Sequence, residues 1–376
     1  MTRETTGRRL PTRREFLTYG GAVASGGALA GCAGAATTAS SDGDAGSSHS
    51  VSIEPMGSVS FDEVPETWVA NNGSWADMGI ALGLEPPKAV WLTDRYHTQY
   101  YDSIPGVSVD KSGMVALYQD GVSKERFYAL GADVHVMDPN FLMNRFGGWD
   151  RSDVDEIERN VAPMFGNCIY AQHYPWHEDY RYYTLFEAFE KLAQVFQRTD
   201  RYEAFEGVHE SFQTNLADAI PSESPEVAVL WGVGNQPESF YPYVIGGGTG
   251  FKHLRDLGVD DALATTDVKD FHGSRAEIDL ETVLEVDPEV LLLRGYESMS
   301  TGEFQDTVVS FLDAHDTASQ LTAVENGDVY RAGSLYQGPI TNLVLTERTA
   351  RHLYDFESDL FDRERVADIV TGSFDA

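Results

Sequence analysis

The chain has 376 residues, 42% hydrophobic and 11% aromatic, enough apolar material for real cores and, at roughly 150 residues per domain, for two of them. With 60 Asp+Glu against 27 Lys+Arg its net charge is −33, which excludes nucleic acid as a partner because a polyanion is repelled rather than steered in. Only 6 of the basic residues are Lys; an acidic, Lys-poor chain that still folds suits an extreme halophile, because molar salt shrinks the screening length to about 3 Å and quiets the self-repulsion.

Residues 1–31 read as an export address, to be set aside before the fold is considered. Thr12-Arg13-Arg14-Glu15-Phe16-Leu17 resembles a twin-arginine motif, and Tyr19 to Ala30 is Gly/Ala-rich and too short to span a bilayer. Leu29-Ala30-Gly31-Cys32 resembles a lipobox, which makes Cys32 the lipidated new N-terminus; an uncleaved anchor would give the same topology. Residues 32–55, rich in Ala, Gly, Ser and Thr, are expected to be a flexible tether. Past Cys32 only Cys168 remains, so no intrachain disulfide forms, and a lone Cys reads as a small buried hydrophobe.

From residue 56 apolar β-rich runs alternate with helical patterns, the mark of α/β layers. Strands are predicted at Thr67–Ala70, Ala89–Leu92, Val134–Met137, Val227–Trp231 and Val290–Leu293; the last is uninterrupted Val-Leu-Leu-Leu, as a central parallel strand covered on both faces requires. An internal echo divides the chain. Trp75–Leu84 and Phe251–Val259 both look like helices closing in Leu-Gly, with Gly at the left-handed cap. Residues 125–134 and 281–290 both read as a Glu-led helix, a tight turn and a buried strand. Between the halves, Leu185, Phe189, Leu192, Phe196 and then Phe205, Val208, Phe212, Leu216 recur at helical spacing with no Pro before Pro221. The expected architecture is α/β: two Rossmann-like lobes, 56–181 and 221–376, joined by one long bridging helix over 182–220, with Gly207 as a bend and the ligand cleft between the lobes.

This order of features resembles the helix-bridged substrate-binding proteins of ABC importers, the iron-siderophore/vitamin B12 family. Residues 125–136 and 281–293 look like its paired signatures. Ala323-Val324-Glu325-Asn326-Gly327-Asp328-Val329-Tyr330 looks like the turn that leads into its late strand, and His352–Phe361 like its closing helix. The resemblance implies a lipid-anchored receptor on the outer face of the cell membrane, with no catalytic residues and no cofactor of its own. Such a receptor delivers a metal chelate, Fe3+ within a siderophore first, to a permease and its ATPase. Cobalamin or heme are the alternative ligands, tungstate or molybdate a lesser one. It further implies an acidic residue on each lobe that docks on permease Arg. Asp77 stands where the first is found, while His253 occupies the place of the second.

Ligands of open α/β sheets sit at the carboxyl ends of strands, and the loops there are rich in aromatics and Arg. Trp75 follows the first predicted strand; Arg95 and Tyr96 follow the second; Asn140 and Arg145 follow the third. The second half offers Trp231, Tyr241, Arg294, Tyr296 and Tyr336, and the aromatic cluster Ile169–Tyr183 offers His173 and Tyr174. Arg pairs in a planar fork with anionic oxygens, and aromatics supply flat walls. Arg145, Arg294, Tyr241 and Trp231 are the strongest candidates because they follow strands directly. Pro175 disfavours a helix joining His173 and His177, and no His-Glu-x-x-His occurs, which argues against a zinc site. Gly246–Gly250 lacks the Lys-Ser/Thr of a phosphate loop and is expected instead to offer amides to ligand oxygens. An exported envelope hydrolase, the alternative function class, would need a nucleophile-base or metal constellation that the sequence does not display.

Overall fold

The computed structural model describes residues 48–145, 148–172, 174–354 and 357–374. The twin-arginine segment, Cys32, His173 and the Asp355–Phe356 part of the closing helix lie outside the described residues.

Alternating burial builds the first element. His49–Ile53 (β1) and Gly57–Phe61 (β2) pair antiparallel from His49↔Phe61 to Ile53↔Gly57, and Val51, Ile53 and Phe61 turn inward. Residues 49–55, expected to belong to the tether, are therefore part of the folded body. His49 Nε2 donates to Val195 O at 2.9 Å and stitches the hairpin to a helix.

The first lobe is a parallel sheet of short strands, apolar but for the buried His135 of the last. Trp68–Ala70 (β3), Ala89–Val90 (β4), Val115–Ala116 (β5) and Val134–Val136 (β6) run in the order β5-β4-β3-β6. Both faces are covered, which is why these strands read as continuous apolar runs. The helix Gly73–Ala81 follows β3; the Asn72 side chain accepts from Ser74 N, and all nine residues are buried. Its Gly79 lies so close to the Trp68 ring that a Cβ there would overlap it.

The second lobe holds Glu226–Gly232 (β7), Ser239–Tyr243 (β8), Asp260–Asp261 (β9), Ile278–Asp279 (β10), Val290–Arg294 (β11) and Val329–Arg331 (β12). The order is β10-β8-β7-β11-β12, with β9 beside the start of β7. β11 lies between β7 and β12, parallel to both and buried at all five residues, as its Val-Leu-Leu-Leu run predicts. β8 returns antiparallel on β7, so Tyr241, expected in a loop, sits in a hairpin strand.

The internal echo is real backbone geometry. The helices Gly73–Ala81 and Lys252–Leu257 are followed by Gly83 at φ +66° and Gly258 at φ +69°. The helices Lys124–Leu130 and Leu280–Val286 end in left-handed caps at Gly131 and Asp287 before β6 and β11.

The expected single rod over 182–220 is two helices, Leu185–Val195 and Thr199–Ala219, broken at Phe196–Arg198 with Gln197 at φ +50°. The break falls there rather than at Gly207, which lies inside the second helix. Tertiary packing decides it: Phe196 is buried with its ring 5.6 Å from that of Trp68. The two helices fold back on each other, Phe189 on Phe205 at 5.8 Å and Phe186 on His209 at 4.0 Å. Only Thr199–Ala219, 21 residues and about 31 Å long, runs on into β7. A second connection was not foreseen. The helix Pro339–Tyr354 packs on both Gly73–Ala81 and Lys252–Leu257, and Arg363–Thr371 packs on Thr199–Ala219. The tail, expected within the second lobe, thus returns to the first.

Candidate functional site

The carboxyl ends of the first lobe's parallel sheet and of β12 in the second lobe's mixed sheet open on a cavity of about 210 Å3. After β4 the chain supplies Trp91, Leu92 and, from the 3-10 turn Thr93–Arg95, Arg95. After β5 comes Tyr118, and the helix Pro139–Arg145 behind β6 supplies Phe141 and Arg145. The loop before the helix pair adds Tyr170 and Tyr174. The second lobe closes the space with Tyr243 at the end of β8 and with Phe271, His272 and Arg275 at the short helix Phe271–Ser274. Leu335 and Tyr336, after β12, complete the lining.

Three guanidinium groups therefore face one cavity, and among the described residues no carboxylate lines it. Arg95 lies 4.9 Å over the Trp231 ring, and Arg275 lies 4.5 Å over Phe271. Burial pulls the Arg275 guanidinium below its ordinary pKa, and the charge of Arg145 pulls it further, so these cations repel across the space. Burial raises the Tyr336 hydroxyl, with Arg95 opposing. Burial likewise pushes Tyr243 up, to about 12, against the pull of Arg294 and Arg95. The walls are rings: Trp91 stacks on Tyr118 at 5.7 Å, Tyr170 meets Tyr336 edge-on at 5.2 Å, and the Tyr170 and Tyr174 hydroxyls share a hydrogen bond of 2.8 Å. His272 meets Tyr174 and Tyr243 edge-on, with Nδ1 3.2 Å from Asp270 Oδ1. Burial raises Asp270, but the hydrogen bond and charge of His272 outweigh it and hold the acid low. Among the described residues no three His, Cys, Asp or Glu gather into a metal-holding group. The arrangement can hold an anion with flat or apolar parts.

Of the residues expected at the ligand, Arg95, Arg145, Tyr174 and Tyr336 are brought together on the cavity. Trp231 stands one layer out, beneath Arg95. Tyr241 donates to Glu277 Oε1 at 2.8 Å and abuts Phe271. Arg294 is buried behind Tyr243. The rest serve the fold. Trp75 is fully buried in its helix, Tyr96 shares a hydrogen bond with Tyr101 in the first lobe's core, and the Tyr296 hydroxyl donates to Gly234 O. Asn140 donates to Asp138 Oδ1 at the head of its helix. Two amides of the glycine turn go to protein, Thr249 N to Ile169 O and Gly250 N to Tyr170 O, and a Cβ at Gly248 would collide with the Tyr170 carbonyl.

Asp77 is not available for docking. It is 0% exposed, and its Oδ2 accepts from Thr341 N at 2.9 Å, capping the Pro339–Tyr354 helix. Sequence reasoning missed Arg275 and His272, which follow no predicted strand. The only signal for them was the local cluster Phe271-His272-Gly273-Ser274-Arg275, a small copy of the aromatic-plus-Arg pattern used elsewhere. It missed Tyr118 and Trp91 because β4 and β5 are only two residues long.

The profile of the periplasmic binding protein family matches residues 72–336. No curated protein matches the sequence significantly. Among solved structures, a periplasmic binding protein from Veillonella parvula superposes with a TM-score of 0.56 at 15% identity, covering 83% of this chain and 99% of that one. The iron uptake ABC transporter substrate-binding protein PiuA from Streptococcus pneumoniae gives 0.56 at 16% identity, covering 82% and 100%. The siderophore-binding protein FhuD from Vibrio cholerae, bound to Fe3+-Desferal, gives 0.51 at 17% identity, covering 77% and 98%. At such identities the likeness is one of fold.

Proposed function

The chain belongs to the periplasmic binding protein family, and from that premise we propose that it is an extracytoplasmic receptor for an anionic metal chelate, a ferric siderophore first, which it passes to an ABC permease and its ATPase. The observation that carries the reading is the set Arg95, Arg145 and Arg275 around one aromatic-walled cavity with no carboxylate on it among the described residues, in a protein whose net charge is −33. A ferric chelate with catecholate or carboxylate arms presents anionic oxygens for the guanidinium forks and flat rings for the walls. A corrin edged with neutral amides would bring no anionic oxygens to the guanidinium forks, which ranks cobalamin below it. The solved structures similar in fold include iron and siderophore receptors, in keeping with this ligand class. Attachment through a lipid on Cys32 after twin-arginine export, and a halophilic setting, belong to the same proposal. No helix among the described residues is long and apolar enough to cross a membrane.

The test is titration of the full chain in high salt, read by Trp fluorescence, because Trp91 lines the cavity and Trp231 lies against Arg95. Saturable quenching by a ferric tricatecholate, weakened in Arg145→Ala and Arg275→Ala, is the expected result. Quenching by cobalamin with none by ferric chelates would overturn the ligand class. Turnover of an ester or peptide, lost on mutating one side chain, would overturn the receptor.

A further inference from the structure

A cation with no counter-charge lies behind the cavity wall. Arg294 ends β11 and is 1% exposed. Its Nη2 donates to Gly250 O at 2.6 Å, but among the described residues Nε and Nη1 have no hydrogen-bond partner, and no carboxylate forms an ion pair with it. The two acids whose fields reach it are Asp270 and Glu297, and both are committed. Asp270 accepts from His272 N and Val244 N, and Glu297 accepts from Arg348 and the Tyr100 hydroxyl. Arg294 is instead flanked by rings, its Cζ 4.5 Å from the Phe251 centroid and 5.1 Å from that of Tyr243. Tyr243 lines the cavity, so one ring separates the buried charge from the ligand space.

An unpaired charge in a core is costly, and an apolar side chain of similar volume commonly replaces one with no loss of stability or a gain. Burial lowers the Arg294 guanidinium to about 10, which leaves it charged at neutral pH. Among the charges acting on the Tyr243 hydroxyl, that of Arg294 is the largest, so its field already crosses the wall. Arg95 and Arg275 are exposed and open to screening by salt, whereas a sealed charge keeps its strength in a molar electrolyte. We infer that Arg294 is a positioning residue that acts through Tyr243: a fourth cation, never touching the ligand, that sets the cavity's preference for anionic over uncharged chelates. The inference rests on the chelate-receptor reading above.

Two ferric chelates separate the possibilities, a triply negative tricatecholate and an uncharged trihydroxamate, each titrated into the full chain at molar salt. In Arg294→Met the dissociation constant for the tricatecholate should rise about tenfold, as expected when one charge facing a trianion is lost. That for the trihydroxamate should hold, and the melting temperature should be equal or higher. Arg294→Lys should restore most of the tricatecholate affinity, and it keeps the test alive if the Met variant folds poorly. Equal losses for both chelates, or none for either, would overturn the inference while leaving the receptor reading intact. Failure of the unmutated chain to bind either chelate would overturn the receptor reading and, with it, this role for Arg294.

Discussion

Replacing Glu297 by Gln should cost the protein about 3 kcal/mol, because Glu297 ties the two lobes together. The carboxylate is 2% exposed and follows β11 in the second lobe. It accepts from Arg348 through both oxygens at 3.2 Å, from the Tyr100 hydroxyl of the first lobe at 2.6 Å, and from Gly333 N at 2.9 Å. Gln99 of the first lobe donates to its backbone carbonyl. Breaking one partner of a buried pair costs about 3–5 kcal/mol, and Arg348, whose side chain is 24% exposed, belongs at the lower end. Titration leads to the same figure. Burial alone would raise Glu297, but Arg348 and the Tyr100 hydroxyl outweigh it and hold the acid near 2, against an ordinary 4.5; that difference is worth about 3 kcal/mol. Because the folded pKa is depressed, this stability is present above about pH 4.5 and drains away as pH falls towards 2. The assay is urea unfolding at fixed high salt, followed by Trp fluorescence from pH 7 down to pH 3. Glu297→Gln should unfold at lower urea at pH 7 and lose the acid-dependent part of the curve, while Glu297→Gln with Arg348→Met should recover much of the loss. Equal midpoints for Glu297→Gln and the unmutated chain at pH 7 would refute this account of the joint.

Three further outcomes follow from single contacts. Gly79→Ala puts a Cβ into the Trp68 ring inside a fully buried helix and should destabilise by about 1–3 kcal/mol, read as a lower urea midpoint with an unchanged slope. Burial lifts Asp77 to about 7 although Thr341 N hydrogen-bonds to it; its folded pKa is raised, so it favours folding below pH 4 and loses that advantage as pH rises through 7. Asp77→Asn keeps an acceptor for Thr341 N, and its melting temperature should overtake that of the unmutated chain at pH 8 but not at pH 4. Cys168 is 4% exposed, and burial pushes its thiol far up, so a thiol reagent should leave it unmodified in the native state and label it on unfolding.

The lobes were legible because parallel strands sealed on both faces leave a signature that needs no partner to be seen. Val290-Leu291-Leu292-Leu293 announces β11, and Leu257-Gly258 and Leu82-Gly83 announce the ends of helices whose caps are left-handed. The break at Gln197 left no such trace. Both halves of 182–220 carry good helical spacing without an internal Pro, and the chain turns only because Phe196 finds Trp68 in the first lobe. Asp77 failed for a similar reason. Its position matches that of an exposed docking acid, and it is buried by a helix that begins 262 residues later, at Pro339. The site was half legible. Arg95, Arg145, Tyr174 and Tyr336 could be named from their places, but a loop position does not say which way a side chain faces, and Asn140 and Tyr296 turn to the fold instead.

The charge of the protein and the charge of its cavity have opposite signs, and the screening length reconciles them. A net −33 spread over the surface repels an approaching anion across roughly 10 Å at 0.1 M salt and across roughly 3 Å at 1 M. The shell therefore hinders capture in dilute buffer and scarcely matters in brine. Inside the cavity the proposed anionic ligand would displace water and meet Arg95, Arg145 and Arg275 against aromatic walls, where attraction between close charges is far stronger than in water. Salt thus removes the long-range repulsion first and the short-range attraction last. Acidic residues can accumulate on such a surface without cost to anion binding as long as none reaches the cavity. The lining respects that condition: Asp270 stops one layer behind His272 and Glu297 is taken up by Arg348.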